Sequence, residues 1–167
     1  DAVGKLFTGR DLNMNELFDA IRRMDSVSDF ILSKSFFDIL TEAYSEKFSQ
    51  VSFLDFFWAV RSMVLPLFNI IKLPVPRADI YHSVSAGYAG VVGALCKHVY
   101  NKPYILTEHG IYTREREEEI IKSTWVKGHF KDMWIDLFYN FSKCAYNSAD
   151  MVLSLFARNM EIQMEIG

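Results

Sequence analysis

Leu73-Pro74-Val75-Pro76-Arg77 constrains this chain more than any other feature. Two prolines separated by one residue fit neither a helix interior nor a central strand. Before this connector the apolar residues recur at helical spacing. After it, short apolar runs alternate with helical patterns, which predicts a parallel sheet with crossover connections. The chain therefore divides into a mainly helical insert or lead-in, residues 1–77, and a strand–helix–strand–helix–strand region, residues 78–167.

On the helical side, residues 11–32 read as one helix. Asn13 with Glu16 resembles a capping box, and Leu17, Ile21 and Met24 share a face. A second helix is expected from Lys34 to Phe48 and a third after Ser52, which Pro66 should kink or end. Phe occurs 14 times, mostly before residue 70, and such a stretch needs a partner surface, either its own core or another protein. The greasiest segment, Phe53 to Leu73, is interrupted by Asp55, Arg61, Pro66, Asn69 and Lys72. A membrane span needs roughly 20 predominantly apolar residues in succession, so this segment reads as a buried or surface-docked helix.

On the other side, strands are expected at 78–84, 103–108 and 151–155, adjacent and parallel. Helices are expected at 87–100, 115–122 and 130–147, with another starting at Phe156. Three strands are fewer than the roughly five of an ordinary sheet, and the others are expected outside the chain. Asp1 without an initiator Met, and Gly167 directly after a helical pattern, read as cut ends.

A net charge of -3 gives no basic stripe for nucleic acid. Cys96 and Cys144 do not make a disulfide framework and read as buried thiols in a reducing compartment. The four histidines are too scattered for a metal cluster.

Ligands of open parallel α/β sheets bind beyond the carboxyl ends of the strands. His82 and His109 each stand where a strand is expected to become a loop, whereas His98 and His129 fall in helical or turn contexts. Ser85-Ala86-Gly87-Tyr88-Ala89-Gly90 opens a helix with small residues, suited either to tight helix-on-sheet packing or to close approach of an anion. Glu108 and His109 face opposite sides if the strand continues, or both turn inward if it has ended. His109 can grip a sugar hydroxyl or a phosphate, or can satisfy backbone carbonyls. Gly110 follows it. Tyr112 and Arg114 are expected just before the charged helix, where the Arg fork can take phosphate or carboxylate. Alternatively these residues only steady that helix: Arg114 and Glu118 are spaced four apart as a pair, and Glu115 and Glu119 are likewise four apart.

Three stretches carry a resemblance: Ala78 to Gly90, Lys102 to Glu117 with its Thr-Glu-His-Gly-Ile-Tyr-Thr-Arg-Glu-Arg-Glu string, and Ala149 to Phe156. Together they resemble the N-terminal domain of family 4 glycosyltransferases, closest to the PelF branch of Pel-type exopolysaccharide synthesis. The resemblance covers about residues 78–167. It implies a cytoplasmic GT-B enzyme with two Rossmann-like domains, retaining chemistry and no metal or cofactor. The co-substrate it implies is a nucleotide sugar such as UDP-glucose or a related UDP-hexose, and the acceptor an exopolysaccharide. By the same resemblance His109 lies near the transferred sugar, Gly87 and Gly90 lie beneath the cleft, and Tyr112 and Arg114 belong to a branch-specific loop. The implied partners are a C-terminal donor-binding domain and an exopolysaccharide synthase membrane complex. Neither that domain nor the Gly-rich donor loop is in the sequence, so the chain is expected to be inactive alone.

Other readings stay open beside it. One is an independent α/β module binding phosphate or a small molecule. Another is a helical adaptor built on residues 30–73. A hydrolase using His82, Glu108 and His109 lacks the HExxH spacing of a zinc hydrolase.

Overall fold

The computed structural model describes residues 2–9 and 12–167. It divides into two compact units, residues 1–73 and 74–167.

The first unit is helical: α1 (Ala2–Thr8), α2 (Met14–Arg23), α3 (Val27–Ile31), α4 (Lys34–Ala43) and α5 (Phe53–Lys72), with a π-helical turn at Tyr44–Phe48. The capping box forms as expected. Asn13 Oδ1 accepts from the Asn15 and Glu16 amides, and Asn13 Nδ2 donates to Glu16 Oε1 at 3.0 Å. The single helix expected over 11–32 is instead two, and its first residue, Asp11, lies outside the described residues. The break falls at Met24–Ser26, where the Ser26 hydroxyl caps α3 by accepting from the Asp29 amide. A local side-chain acceptor there competes with continuing the helix.

Pro66 does not end α5, which runs on to Lys72. Leu67, Phe68 and Ile71 beyond it are fully buried. At about 1.5–3 kcal/mol each, their burial outweighs the roughly 3 kcal/mol that an interior proline costs. α5 is long and apolar enough to cross a membrane by length and composition. Here its stripe of Phe56, Val60, Met63, Val64, Leu67, Phe68 and Ile71 is buried in the protein. The Phe side chains find their partner surface largely within the unit: Phe30 meets Phe36 edge-on at 5.3 Å, and Phe48 stacks on Phe56 at 4.9 Å. Arg22 at the end of α2 donates to Ile71 O at 3.0 Å, and Lys72 at the end of α5 donates to Met24 O. Each cation thereby sits at the negative end of the other's helix.

The second unit is α/β: β1 (Tyr81–Ser83), α6 (Tyr88–Tyr100), β2 (Tyr104–Glu108), α7 (Tyr112–Lys122), a 3₁₀ turn (Gly128–Phe130), α8 (Lys131–Ser148), β3 (Met151–Ser154) and α9 (Ala157–Ile166). The strands form one parallel sheet in the order β1-β2-β3, as the alternation predicts, and the whole is consistent with a partial Rossmann-like domain. Tyr81, Tyr104 and Leu106 turn one sheet face into a core with Ala86, Cys96, Ala145 and Tyr146. His82, Met151 and Leu153 are exposed.

β1 is shorter than the expected 78–84. The Tyr81 hydroxyl donates to Pro76 O at 2.7 Å and accepts from the Ala78 amide at 3.2 Å. Those residues are thus held by a side chain, and pairing begins with the Tyr81 amide on Pro103 O. α7 starts earlier than expected, at Tyr112 and not at 115. Tyr112 and Arg114 therefore lie in its first turn and do not precede it.

Candidate functional site

β2 sets the geometry of the site. Its side chains alternate, so Tyr104, Leu106 and Glu108 turn into the core while Ile105 and Thr107 are half-buried. Glu108 is thus the last residue of an inward row, and only 3% of it is exposed. Its Oε1 accepts from the Tyr112 amide at 3.0 Å. Its Oε2 accepts from the Tyr146 hydroxyl at 2.6 Å and from Gln163 Nε2 at 2.7 Å. Gln163 Oε1 in turn takes the Ser154 hydroxyl at the end of β3. Taking a carboxylate out of water costs several kcal/mol unless its lone pairs are satisfied; three donors and the positive end of α7 satisfy this one. Burial pushes the Tyr146 phenol upward, and the neighbouring Glu108 carboxylate pushes it further.

His109 follows on the outside of this knot. It is exposed in the bend after β2, with half-buried Gly110 next to it. The Glu115 carboxylate folds back over Gly110 and occupies the space a β-carbon would need. Buried Ile111 then anchors the bend from below.

His82 is not at the end of its strand but in the middle of it, opposite Ile105. That register leaves it four residues short of His109, roughly 13 Å along the strand direction. His82 Nε2 lies 2.9 Å from Thr107 Oγ1, so the exposed histidine of β1 is joined to the half-buried threonine of β2. A cleft of about 500 Å³ beside β1 is lined by Pro76, His82, Val84, Ala89, Val92 and Cys96, among others. His109, Glu108, Tyr112 and Arg114 are not part of its lining.

The small residues of α6 have packing partners. A β-carbon on Gly87 would run into the Tyr112 ring, and one on Gly90 would stand 2.8 Å from Ala145 Cβ. Ser85 Oγ accepts from the Gly87 amide at 3.2 Å, and no side chain caps the start of α6. Tyr88 packs on Phe141 at 5.0 Å. Tyr112 meets Phe138 edge-on at 5.9 Å and carries the Arg116 guanidinium over its ring at 5.3 Å. Burial raises both phenols above their ordinary range.

Arg114 is exposed on α7. The expected pair with Glu118 does not form, because Lys122 takes Glu118 and holds its carboxyl below the usual range. The other ion pair on this helix is Arg116 with Glu119 at 2.7 Å; Glu115 and Glu119, both acidic, repel at a spacing of four and do not steady the helix.

Two groups that no short-range pattern announces also shape the sheet. Asp150 accepts from the Tyr104 amide at 2.8 Å and from Lys97 Nζ at 2.6 Å, tying the starts of β2 and β3 to α6. Tyr104 OH meets Ser83 Oγ at 2.6 Å beneath β1, and burial pushes this phenol up to about 12. Both cysteines are buried and free, and burial lifts the Cys144 thiol to about 12. Among the described residues no three His, Cys, Asp or Glu side chains gather where they could hold a metal ion.

The family described as "Domain of unknown function (DUF3492)" matches residues 4–167, and the chain belongs to it. No curated protein matches the chain. No solved structure matches it either.

Proposed function

We propose that this member of the family is an acceptor-side segment of a nucleotide-sugar-dependent glycosyltransferase, lying within a Rossmann-like N-terminal domain of GT-B type. The observation that supports it best is the bend with exposed His109 at the carboxyl end of the central parallel strand, where open α/β sheets take ligands. Family membership over nearly the whole chain is compatible with a glycosyltransferase-associated domain. The Thr107-to-Glu117 string that resembles family 4 enzymes of the PelF branch surrounds that same bend.

In this reading His109 orients a hydroxyl of the transferred sugar. A neutral imidazole offers one donor and one acceptor for that purpose. His82 with Thr107, the start of α6 at Ser85–Gly90, and Arg114 border the space taken by acceptor and sugar. Glu108, Gly110 and Tyr112 shape the bend from within. The donor is UDP-glucose or a related UDP-hexose, transferred with retention and without a metal to an exopolysaccharide acceptor in the cytoplasm. The groups that neutralise the departing diphosphate belong to a C-terminal domain outside this chain, and a membrane synthase complex receives the product.

The test is sugar transfer from UDP-[¹⁴C]glucose by the full-length protein that contains this segment, beside the 167-residue chain alone. Transfer by the former only is expected. Transfer by neither, across a panel of nucleotide sugars, contradicts the reading. Stoichiometric binding of a nucleotide by the isolated chain favours an independent binding module.

A further inference from the structure

We infer that Glu108 is a positioning residue: gripped from three sides inside the α/β unit, its carboxylate fixes where His109 leaves β2 and where α7 begins. For its functional consequence this rests on the reading of the His109 bend as ligand-facing; the structural claim stands without it.

The three donors come from three different elements. The Tyr112 amide belongs to the first turn of α7, the Tyr146 hydroxyl to α8 and the Gln163 amide to α9. Through Gln163 the chain of contacts continues to Ser154, the last residue of β3. One carboxylate therefore joins the end of β2 to α7, α8 and α9, and through Gln163 to β3. His109, Gly110 and Ile111 alone separate Glu108 from Tyr112, and the Glu108–Tyr112 hydrogen bond closes this short bend on itself. Ile111 is buried and the Glu115 carboxylate covers Gly110, so His109 is left as the exposed residue of the bend.

An apolar side chain could fill the same volume at less desolvation cost. It would not dictate direction. A carboxylate requires its donors along its lone pairs, and here one of them is the amide that starts α7. Tyr112 in turn lays its ring against Gly87, at the start of α6. The same carboxylate thus bears on the His109 bend directly and on the α6 terminus through Tyr112.

Glu108→Gln tests this in the 167-residue chain, because an amide offers one acceptor oxygen where the carboxylate offers two. Backbone and imidazole NMR spectra and amide hydrogen exchange are compared with the parent chain. The expected result is a folded protein in which His109, Gly110 and Tyr112 resonances shift, and the Tyr112 amide exchanges roughly tenfold faster through local opening. Tyr146→Phe, which removes one donor, should shift the same signals less. Unchanged bend signals in a folded Glu108→Gln protein overturn the inference, as do changes spread evenly over the sheet and α8. If Glu108→Gln does not fold, Tyr146→Phe decides: changes confined to residues 109–113 and the site of substitution support the inference, and unit-wide changes overturn it. No substrate or activity enters the measurement, so its failure leaves the glycosyltransferase reading standing, and failure of that reading leaves this result intact.

Discussion

The Tyr146 hydroxyl donates to Glu108 Oε2 at 2.6 Å, joining residues 38 apart in sequence inside a core that otherwise consists mainly of apolar side chains. Removing that donor leaves the carboxylate with two partners in a buried site. Hydrogen bonds to charged groups contribute about 1.5–3 kcal/mol, so Tyr146→Phe should lower unfolding stability by that amount in urea titration. A change within experimental error of zero would mean that water or another donor already replaces the phenol.

At Gly90 α6 packs closely on α8. An added β-carbon would stand 2.8 Å from Ala145 Cβ and 3.0 Å from the Ser85 carbonyl oxygen. Overpacking costs about 1–3 kcal/mol, against a gain of roughly 0.5–1 kcal/mol from replacing a helical glycine by alanine. Gly90→Ala should therefore destabilise the chain by about 1 kcal/mol net. A more stable variant in equilibrium unfolding would show that the two helices separate easily.

Asp150 provides a pH signature. Donation from Lys97, and then from the Tyr104 amide, holds its carboxyl below the ordinary range. A depressed folded value means that the contribution is fully present above the unfolded Asp pKa, about 3.9. It is lost as pH falls through the lower folded value. Melting temperature followed from about pH 6 to about pH 2 should fall more steeply below roughly pH 4 in the parent chain than in Asp150→Asn. The Asn keeps an acceptor for the Tyr104 amide but does not titrate. Parallel curves would remove Asp150 from the acid response.

The strand–helix alternation after Pro76 was legible because it rests on local periodicity, and the parallel order follows from crossovers long enough to return the chain. The break at Ser26 was legible in principle: Ser26 with Asp29 three residues on is a cap signal inside an otherwise helical run. The inward turn of Glu108 was also available, since it continues the alternate row Tyr104, Leu106, Glu108. Its partners were not, because Tyr146 and Gln163 lie 38 and 55 residues away and nothing in their neighbourhoods marks them. The early start of α7 has the same origin: its first amide is satisfied by a side chain outside the helix, where a search for a local cap does not look. His82 falls short of the His109 rim because β1 ends at Ser83, opposite Leu106, while β2 runs on to Glu108; that register is set by pairing between segments far apart in sequence and leaves no local mark.

The central claim, that the exposed bend after β2 faces the transferred sugar, is tested most directly by His109→Ala in the full-length protein. Turnover, nucleotide affinity and melting temperature are measured on the same preparation. If His109 acts mainly in the transition state, turnover falls about 10- to 1000-fold, the scale of one oriented polar group. Nucleotide affinity and melting temperature then stay close to the parent values. Near-normal turnover in a folded variant would contradict the claim, and activity lost only in step with melting temperature would reduce His109 to a structural role.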